Sequence, residues 1–413
     1  MKKKTIIIFN IIAVISIIIF SMAIAPKTLQ NDTFYTIKIG EFILENGITM
    51  QDPFSWHENL AYTFPHWAYD VAIFLIYNLG GQFGIYLSTM ILSAILGLTI
   101  YFTNCKISKN KLLSFVLTLG VMYLIRVYVA ARAQLVTFIL FVLTIYFIEM
   151  FLQTKKKRYA LFLIIIPIII ANVHVAVWPF YFVLYLPYIA EYIISLLRNV
   201  DVKFFKSKIK RLKKKISKLP EDKIKELELD KKEEKLNLKL DKCIRRHEKM
   251  QANPYRITIE KNSAGKWLIV IFLVCTLTGL LSPLGDAPYT YLVKTMQGTT
   301  TQSINEHLPL TLVQNKEFLG VIVVFLFILI FTDSKIKLRD LFMLGGLLLL
   351  AFETRRQVSM FILICSFILN KLISQLFDKY DPEGCKEVIQ QIVKPLRNCI
   401  NFVLCCSYKC IAI

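Results

Sequence analysis

Long apolar stretches recur along the chain, and they constrain its fold more than any other feature. A bilayer core is ~30 Å thick, so a helix needs ~20 apolar residues to cross it, and each backbone polar group must be bonded within the spanning structure. Of the 413 residues, 55% are hydrophobic, more than an ordinary soluble domain carries. The sequence therefore predicts an all-α polytopic membrane protein with about ten transmembrane helices. The apolar runs lie near residues 5–25, 83–104, 112–129, 134–152, 159–177, 178–197, 266–283, 317–332, 340–353 and 357–374.

One further apolar segment, residues 67–79, decides the predicted topology. As a helix it is only ~20 Å long, and it contains Asp70. If this segment lies in the membrane interface, every basic loop falls on the cytoplasmic side, as the positive-inside rule requires. We therefore predict two interfacial helices, at residues 33–46 and 67–79, in an outer loop of residues 26–81, with both termini cytoplasmic. The basic segments are Lys2 to Lys4; Lys106, Lys109 and Lys111; Lys155 to Arg158; residues 199–265; and Lys335, Lys337 and Arg339.

A basic insert divides the chain into predicted modules. Residues 201–261 hold 21 Lys and Arg against 11 Asp and Glu, and apolar residues at helical spacing from Phe205 to Leu219 predict an amphipathic helix on the anionic inner leaflet. In a membrane protein this excess of positive charge indicates a cytoplasmic loop and no nucleic-acid partner. We expect residence in the plasma membrane. The modules are an N-terminal membrane module (1–198), a cytoplasmic helical insert (199–265), a C-terminal membrane module (266–375) and a cytoplasmic tail (376–413).

Polar residues collect at the predicted outer side of the membrane. Ionisable groups at membrane depth are unfavourable, so they indicate candidate sites by default. Asp32 is expected to act either as a general base or as a helix cap. Three arginines are expected either to hold a phosphate or to reach lipid headgroups. These are Arg132, Arg355 and Arg356. The remaining candidates, which match no strong metal-binding spacing, are Asp52, His66, His174, Glu306 and His307.

Several short motifs support a family resemblance. Asp32 is followed by Tyr35, Gly40 and Gly47, and this loop resembles the first outer loop of GT-C-type membrane glycosyltransferases. That group includes the protein O-mannosyltransferases and the aminoarabinose transferases. Together the motifs are most similar to bacterial polytopic GT-C-like proteins over most of residues 1–375. The further motifs are Asp52-Pro-Phe-Ser, Pro65-His-Trp67, Gly80-Gly-Gln-Phe-Gly84, Arg132-Ala-Gln134, Asn172-Val-His174, Ser282-Pro-Leu-Gly285, Ile304-Asn-Glu306-His307 and Arg355-Arg356.

The resemblance implies transfer of a sugar from a polyprenyl-phosphate donor to a glycan, lipid or protein acceptor at the outer face of the membrane. It implies that Asp32 is the general base and that an arginine binds the lipid phosphate. Many relatives have glutamate where this chain has Thr33, so carboxylate pairing or metal ligation at that position is not expected. The requirement for a divalent metal is left open. Because the large C-terminal outer domain of some relatives is missing, a small or lipid-borne acceptor is expected.

Two other classes of function compete with the glycosyltransferase interpretation. One is a transporter or flippase of lipid-linked glycans, whose hallmark would be polar groups at mid-span on several helices or paired halves with broken helices. The sequence shows neither, because its ionisable residues cluster at one side of the spans and no internal repeat is evident. The other is a non-catalytic membrane protein of the same fold, which only an activity measurement distinguishes.

Overall fold

The structure is a computed structural model that describes residues 3–26, 28–197, 200–217, 228–252, 256–297, 304–381 and 385–395. Its regular structure is nearly all helical, and residues 386–395 are also helical. Two short strands, β1 (Ile257–Thr258) and β2 (Ile336–Lys337), pair in parallel. The helices are α1 (Lys3–Ala23), α2 (Asn31–Asn46), α3 (Trp67–Ser108), α4 (Lys111–Ile125), α5 (Ala133–Thr154), α6 (Lys157–Val173), α7 (Trp178–Val183), α8 (Leu186–Leu197), α9 (Val200–Ile216), α10 (Leu229–Ala252), α11 (Gly265–Cys275), α12 (Ala287–Gln297), α13 (Lys316–Phe331), α14 (Leu338–Glu353) and α15 (Val358–Tyr380).

Six helical segments among the described residues are long and apolar enough to cross a membrane, by length and composition. The predicted all-α membrane protein is confirmed at this level. Other predicted spans form shorter helices, such as α13 and α14 of 16 residues each, which are ~24 Å long. The total of ten crossings therefore stays a prediction. The six segments are Thr5–Ala23, Trp67–Ser108, Lys111–Tyr128, Ala133–Thr154, Val175–Leu197 and Arg355–Tyr380.

A break at Gly81 divides α3 into two parts. Gly81 has φ of +58° and ψ of −148° inside this 42-residue helix, a backbone conformation that side chains with a Cβ rarely adopt. The segment before the break is the predicted interfacial helix, and the segment after it is a predicted span. The first part packs against α2, where a Cβ on Gly40 would lie 2.1 Å from the carbonyl oxygen of Asp70. Only glycine therefore permits this close approach.

Helices α5 and α15 form the centre of the bundle. In each, 67% of the most apolar stretch is buried inside the protein, compared with 22% for α1. Phe138 and Phe141 of α5 and Phe361 of α15 belong to one large apolar core. The two helices therefore have little lipid-facing surface, whereas α1 lies at the periphery.

Charged side chains are buried between α5, α8, α14 and α15, at the end of the bundle opposite to α2. Arg339 Nη2 lies 3.3 Å from Glu149 Oε2, and Arg339 Nη1 lies 3.2 Å from Glu191 Oε2. Lys371 Nζ lies 2.8 Å from Glu149 Oε1 and 2.9 Å from Asp340 Oδ1. We refer to these five residues as the buried ionic cluster. Because unpaired charges are unfavourable among apolar helices, each carboxylate there has a cationic partner.

The buried ionic cluster corrects one part of the sequence analysis. The sequence assigns Arg339 to a basic segment with Lys335 and Lys337, yet its side chain is only 5% exposed and is paired inside the bundle. The buried carboxylates attract it inward from the first turn of α14. The expectation that ionisable residues collect at one side of the spans is therefore wrong. Single charges inside apolar runs, such as Glu149 in FIEMF and Glu191 in IAEYI, were the signal for the second group.

Replacing Arg339 with methionine is expected to destabilise the protein, because Glu149 and Glu191 would lose a buried counterion. Breaking a buried ion pair from one side decreases the free energy of unfolding by about 3–5 kcal/mol. Arg339→Lys, which keeps the charge, should cause a smaller loss. The midpoint of thermal unfolding in detergent micelles measures both effects.

Lys379→Met is the matched control, because Lys379 pairs with Asp333 at 2.8 Å on the exposed surface. This variant should unfold near the wild-type midpoint, since exposed ion pairs contribute little. Equal midpoints for Arg339→Met and Lys379→Met would contradict a stabilising role for the cluster.

Candidate functional site

A cavity of about 690 Å³ opens where α2, the beginnings of α3 and α5, and the end of α6 meet. Segments 304–307 and 355–357 complete its wall. Helix ends that the predicted topology assigns to one side of the membrane do meet at this cavity. The lining residues are Asn31, Asp32, Tyr35, Thr36, Tyr62, Pro65, His66, Tyr69, Arg132, Ala133, Gln134, His174, Ile304, Glu306, His307 and Arg356.

One guanidinium group holds two carboxylates at this cavity. Arg132, the residue before α5, pairs through Nη2 with Asp32 Oδ2, and its Nη1 lies 3.3 Å from Glu306 Oε1. The side chains of Asp32 and Glu306 are 64% and 50% exposed, so both carboxylates are accessible from the cavity. The buried Nε of Arg132 has no hydrogen-bond partner among the residues that the structure describes. The contact with Arg132 holds the Asp32 carboxylate in a defined position through Oδ2. Its other oxygen, Oδ1, accepts no hydrogen bond from a described residue.

Asp32 does not cap α2 in this structure. The N-cap residue is Gln30, which makes no side-chain cap hydrogen bond, and Asp32 belongs to the first turn. A carboxylate there interacts favourably with the positive end of the helix dipole. The side chain of Asp32 is directed instead to Arg132.

The neighbouring residues Arg355 and Arg356 have different surroundings. Arg355 Nη1 donates to Asn305 Oδ1 at 3.3 Å, its backbone oxygen accepts a hydrogen bond from the Tyr128 hydroxyl at 3.0 Å, and it is not among the cavity-lining residues. Arg356 lines the cavity. Its guanidinium makes no ion pair or hydrogen bond with any residue that the structure describes. Arg356 is therefore a cation with room for an anionic ligand.

Two histidines pack together on the cavity wall. The ring centroids of His66 and His174 are 4.6 Å apart, and His174 Nδ1 lies 3.1 Å from Thr137 Oγ1. Burial, together with the charges of Arg356 and Arg132, lowers the pKa of His66 to about 4. His66 is therefore neutral at physiological pH and can accept as well as donate a hydrogen bond.

Two sequence motifs contact each other behind these histidines. Trp67 Nε1 donates to Asn172 Oδ1 at 3.2 Å, and the backbone N–H of Val175 donates to Pro65 O at 2.9 Å. The Pro65-His-Trp67 and Asn172-Val-His174 motifs thus bind one another. This contact holds the loop before α3 against the end of α6 and positions both histidines.

Three tyrosines line the cavity, and none of them was among the candidate site residues predicted from the sequence, although Tyr35 belongs to the first-loop motif. Tyr35 and Tyr62 share a side-chain hydrogen bond, and burial raises the pKa of both phenols. Tyr69 lines the same wall. The signal for Tyr62 and Tyr69 is the aromatic content of AYTFPHWAYD, residues 61–70. The protonated phenols are hydrogen-bond donors toward a polar ligand.

The other predicted site residues divide between the cavity and the surrounding loop. His307 lines the cavity. Asp52 lies outside it, where Oδ1 accepts a hydrogen bond from the Phe54 backbone N–H at 2.9 Å and stabilises a turn. No group of three His, Cys, Asp or Glu side chains in the described ranges is arranged to hold a metal ion.

No family model matches the chain, and no curated protein matches it.

The lowered pKa of His66 predicts a pH-dependent contribution to stability. Between about pH 6.5 and pH 4 the unfolded chain protonates this imidazole and the folded chain does not. Stability should therefore fall as the pH decreases through this window. Thermal unfolding at pH 7 and pH 5 should show a smaller decrease for His66→Gln than for the wild type. His57→Gln, which alters an exposed histidine of the same loop, should retain the wild-type decrease; the same decrease in all three proteins would refute the prediction.

Proposed function

We propose that the chain is a membrane glycosyltransferase that moves a sugar from a polyprenyl-phosphate donor to an acceptor. The observation that carries this proposal is an unpaired guanidinium, Arg356, in the same cavity as the Asp32–Arg132 ion pair. An anion-binding cation and a positioned carboxylate are the two groups that transfer from a lipid phosphate requires. The cavity volume of about 690 Å³ is within the ~300–1,000 Å³ range of small-molecule sites.

Arg356 is the proposed ligand of the donor phosphate. Of the three candidate arginines, Arg132 already binds two carboxylates, and Arg355 is directed toward Asn305. A partly buried guanidinium without a counterion is unfavourable, so binding of a phosphate would remove an existing penalty. Bidentate geometry suits guanidinium to phosphate.

The proposed reaction is a single displacement at the anomeric carbon. Asp32 accepts the proton of the acceptor hydroxyl as the oxygen forms a bond to this carbon. The bond between the carbon and the phosphate oxygen breaks, and its electron pair leaves with the polyprenyl phosphate. Negative charge therefore grows on the phosphate in the transition state, where Arg356 stabilises it. Displacement from the opposite face inverts the configuration of the sugar.

The remaining charged groups of the cavity have positioning roles in this proposal. Arg132 orients Asp32 through Oδ2, so Oδ1 is available for the acceptor proton. Glu306 is the second carboxylate on Arg132 and limits the rotation of the guanidinium group. Tyr62 and neutral His66 supply hydrogen-bonding groups for sugar hydroxyls. Either a glycan, a lipid or a protein hydroxyl can serve as the acceptor.

The proposed arrangement in the membrane is GT-C-like. It has ten crossings, both termini in the cytoplasm, and α2 together with the first part of α3 in the outer interface. Two observations support it: the break at Gly81 and the meeting of the predicted outer helix ends at one cavity. The cavity would then open at the level of the lipid headgroups, where a polyprenyl phosphate presents its sugar.

A flippase of lipid-linked glycans is the second candidate, because the opposite end of the bundle also has a cavity. That cavity has a volume of about 420 Å³ and is lined by Glu149, Asp340 and Lys371. Between the two cavities, however, α5 buries Phe141 and Ile145 in the apolar core. Gln134 and Glu149 are separated by ~22 Å along this helix. The apolar separation favours the transferase.

Asp32→Asn should abolish transfer, because the amide cannot accept the acceptor proton. Mass spectrometry of polyprenyl-phosphate sugars, in cells that produce equal amounts of each protein, should reveal one lipid-linked sugar that accumulates with Asp32→Asn. Glu45→Gln is the matched control, because Glu45 is exposed on the same helix and outside the cavity. This control should leave the wild-type profile unchanged.

Identical lipid profiles for the wild type and Asp32→Asn, with unchanged envelope glycans, would overturn the transferase proposal. Accumulation of the lipid-linked glycan in the inner leaflet alone, in cells that lack the protein, would support the flippase instead.

A further inference from the structure

Two packed helices form most of the described part of the basic insert. Helices α9 and α10 contact each other along their lengths, and Lys213 Nζ lies 3.3 Å from Glu233 Oε1. Ile209 and Leu229 are buried, at 7% and 4% exposure. We refer to α9 and α10 together as the basic hairpin.

A groove between the two helices combines positive charge with an apolar surface. It has a volume of about 450 Å³ and contains no carboxylate among its lining residues. Its four cations make no ion pair with a described residue, and Lys208 Nζ lies 5.5 Å from the centroid of the Phe204 ring. Four unpaired cations repel each other, so an anionic ligand would be stabilised there. The lining residues, which define the basic groove, are Lys208, Arg211, Leu212, Lys232, Lys235 and Leu236.

We propose that the basic groove binds the headgroup of an anionic phospholipid. The lipid phosphate is complementary to the four cations, and the glycerol ester region beside it is complementary to Leu212 and Leu236. A nucleic acid would satisfy the cations through its phosphates but would leave both leucines without apolar contact. The combination of charge and leucine therefore identifies a lipid as the partner.

The position of the basic hairpin in the chain supports a lipid partner. Helix α9 begins at Val200, directly after the candidate membrane span Val175–Leu197. The hairpin therefore starts at a membrane surface, within reach of lipid headgroups. Phe204 and Leu238 are 56% and 58% exposed and supply apolar side chains for the interface. Amphipathic helices with basic polar faces bind anionic membranes in this way.

This inference is independent of the proposed function, since no residue of the basic hairpin lines the cavity at α2. A bound anionic lipid would hold the hairpin against the membrane surface and would restrain the two membrane modules that it connects.

Native mass spectrometry of the full-length protein in detergent tests the proposal. The protein is titrated with phosphatidylglycerol and, separately, with phosphatidylcholine of the same acyl chains. The groove variant is Lys208→Gln, Arg211→Gln, Lys232→Gln and Lys235→Gln combined. The control variant removes four charges from the same two helices outside the groove: Lys206→Gln, Lys210→Gln, Lys239→Gln and Lys242→Gln.

The affinity for the most tightly bound phosphatidylglycerol molecule should be at least about tenfold lower in the groove variant than in the wild type. The control variant should keep most of this affinity. Phosphatidylcholine should show no such difference. Equal weakening in both variants, or no weakening in either, would overturn the proposal, provided that thermal unfolding shows all proteins folded. Displacement of the lipid by equimolar inorganic phosphate would indicate a phosphate site instead. Tighter, groove-dependent binding of a short RNA would indicate a nucleic-acid partner.

Discussion

The pairing of charges among apolar helices is the constraint on which the rest of this structure depends. In the buried ionic cluster, Arg339 and Lys371 between them form ion pairs with three carboxylates, so α5, α8, α14 and α15 are held in one arrangement. At the other end of the bundle, Arg132 is paired with two carboxylates, whereas Arg356 has no ion-pair partner in the described part of the chain. A charge that the fold leaves without a partner is the strongest indication of where a ligand binds.

Helix α5 connects the two charged regions. Arg132 precedes its first turn and holds Asp32, and Glu149 lies near its last turn within the buried ionic cluster. The helix is among the most buried of the candidate spans, so its position and rotation are determined by packing on all sides. The Asp32 carboxylate is thereby held against a rigid helix. Helix α2, which carries Asp32, covers the cavity, and its position depends on the close approach of Gly40 to α3.

Helix positions could be predicted well from the sequence because apolar runs report helices directly. The run at residues 134–152 corresponds to Ala133–Thr154, and the gathering of Asp32, Arg132 and Glu306 followed from assigning helix ends to sides. The partner of Arg339 could not be predicted, since Glu149 and Glu191 are distant in sequence and meet only through the packing of several helices. The different surroundings of Arg355 and Arg356 could not be predicted either, because a single 3₁₀ turn over Arg355–Gln357 directs the two adjacent side chains differently.

The central claim is that Arg356 binds the phosphate of the donor lipid. Its most direct test is the dissociation constant of a short-chain polyprenyl phosphate for the full-length protein in detergent. Charge-assisted hydrogen bonds contribute about 1.5–3 kcal/mol, so Arg356→Gln should weaken binding at least about tenfold. Arg126→Gln, which alters an arginine paired with Glu317 outside the cavity, should bind as the wild type does. Equal dissociation constants for wild type and Arg356→Gln would contradict the claim.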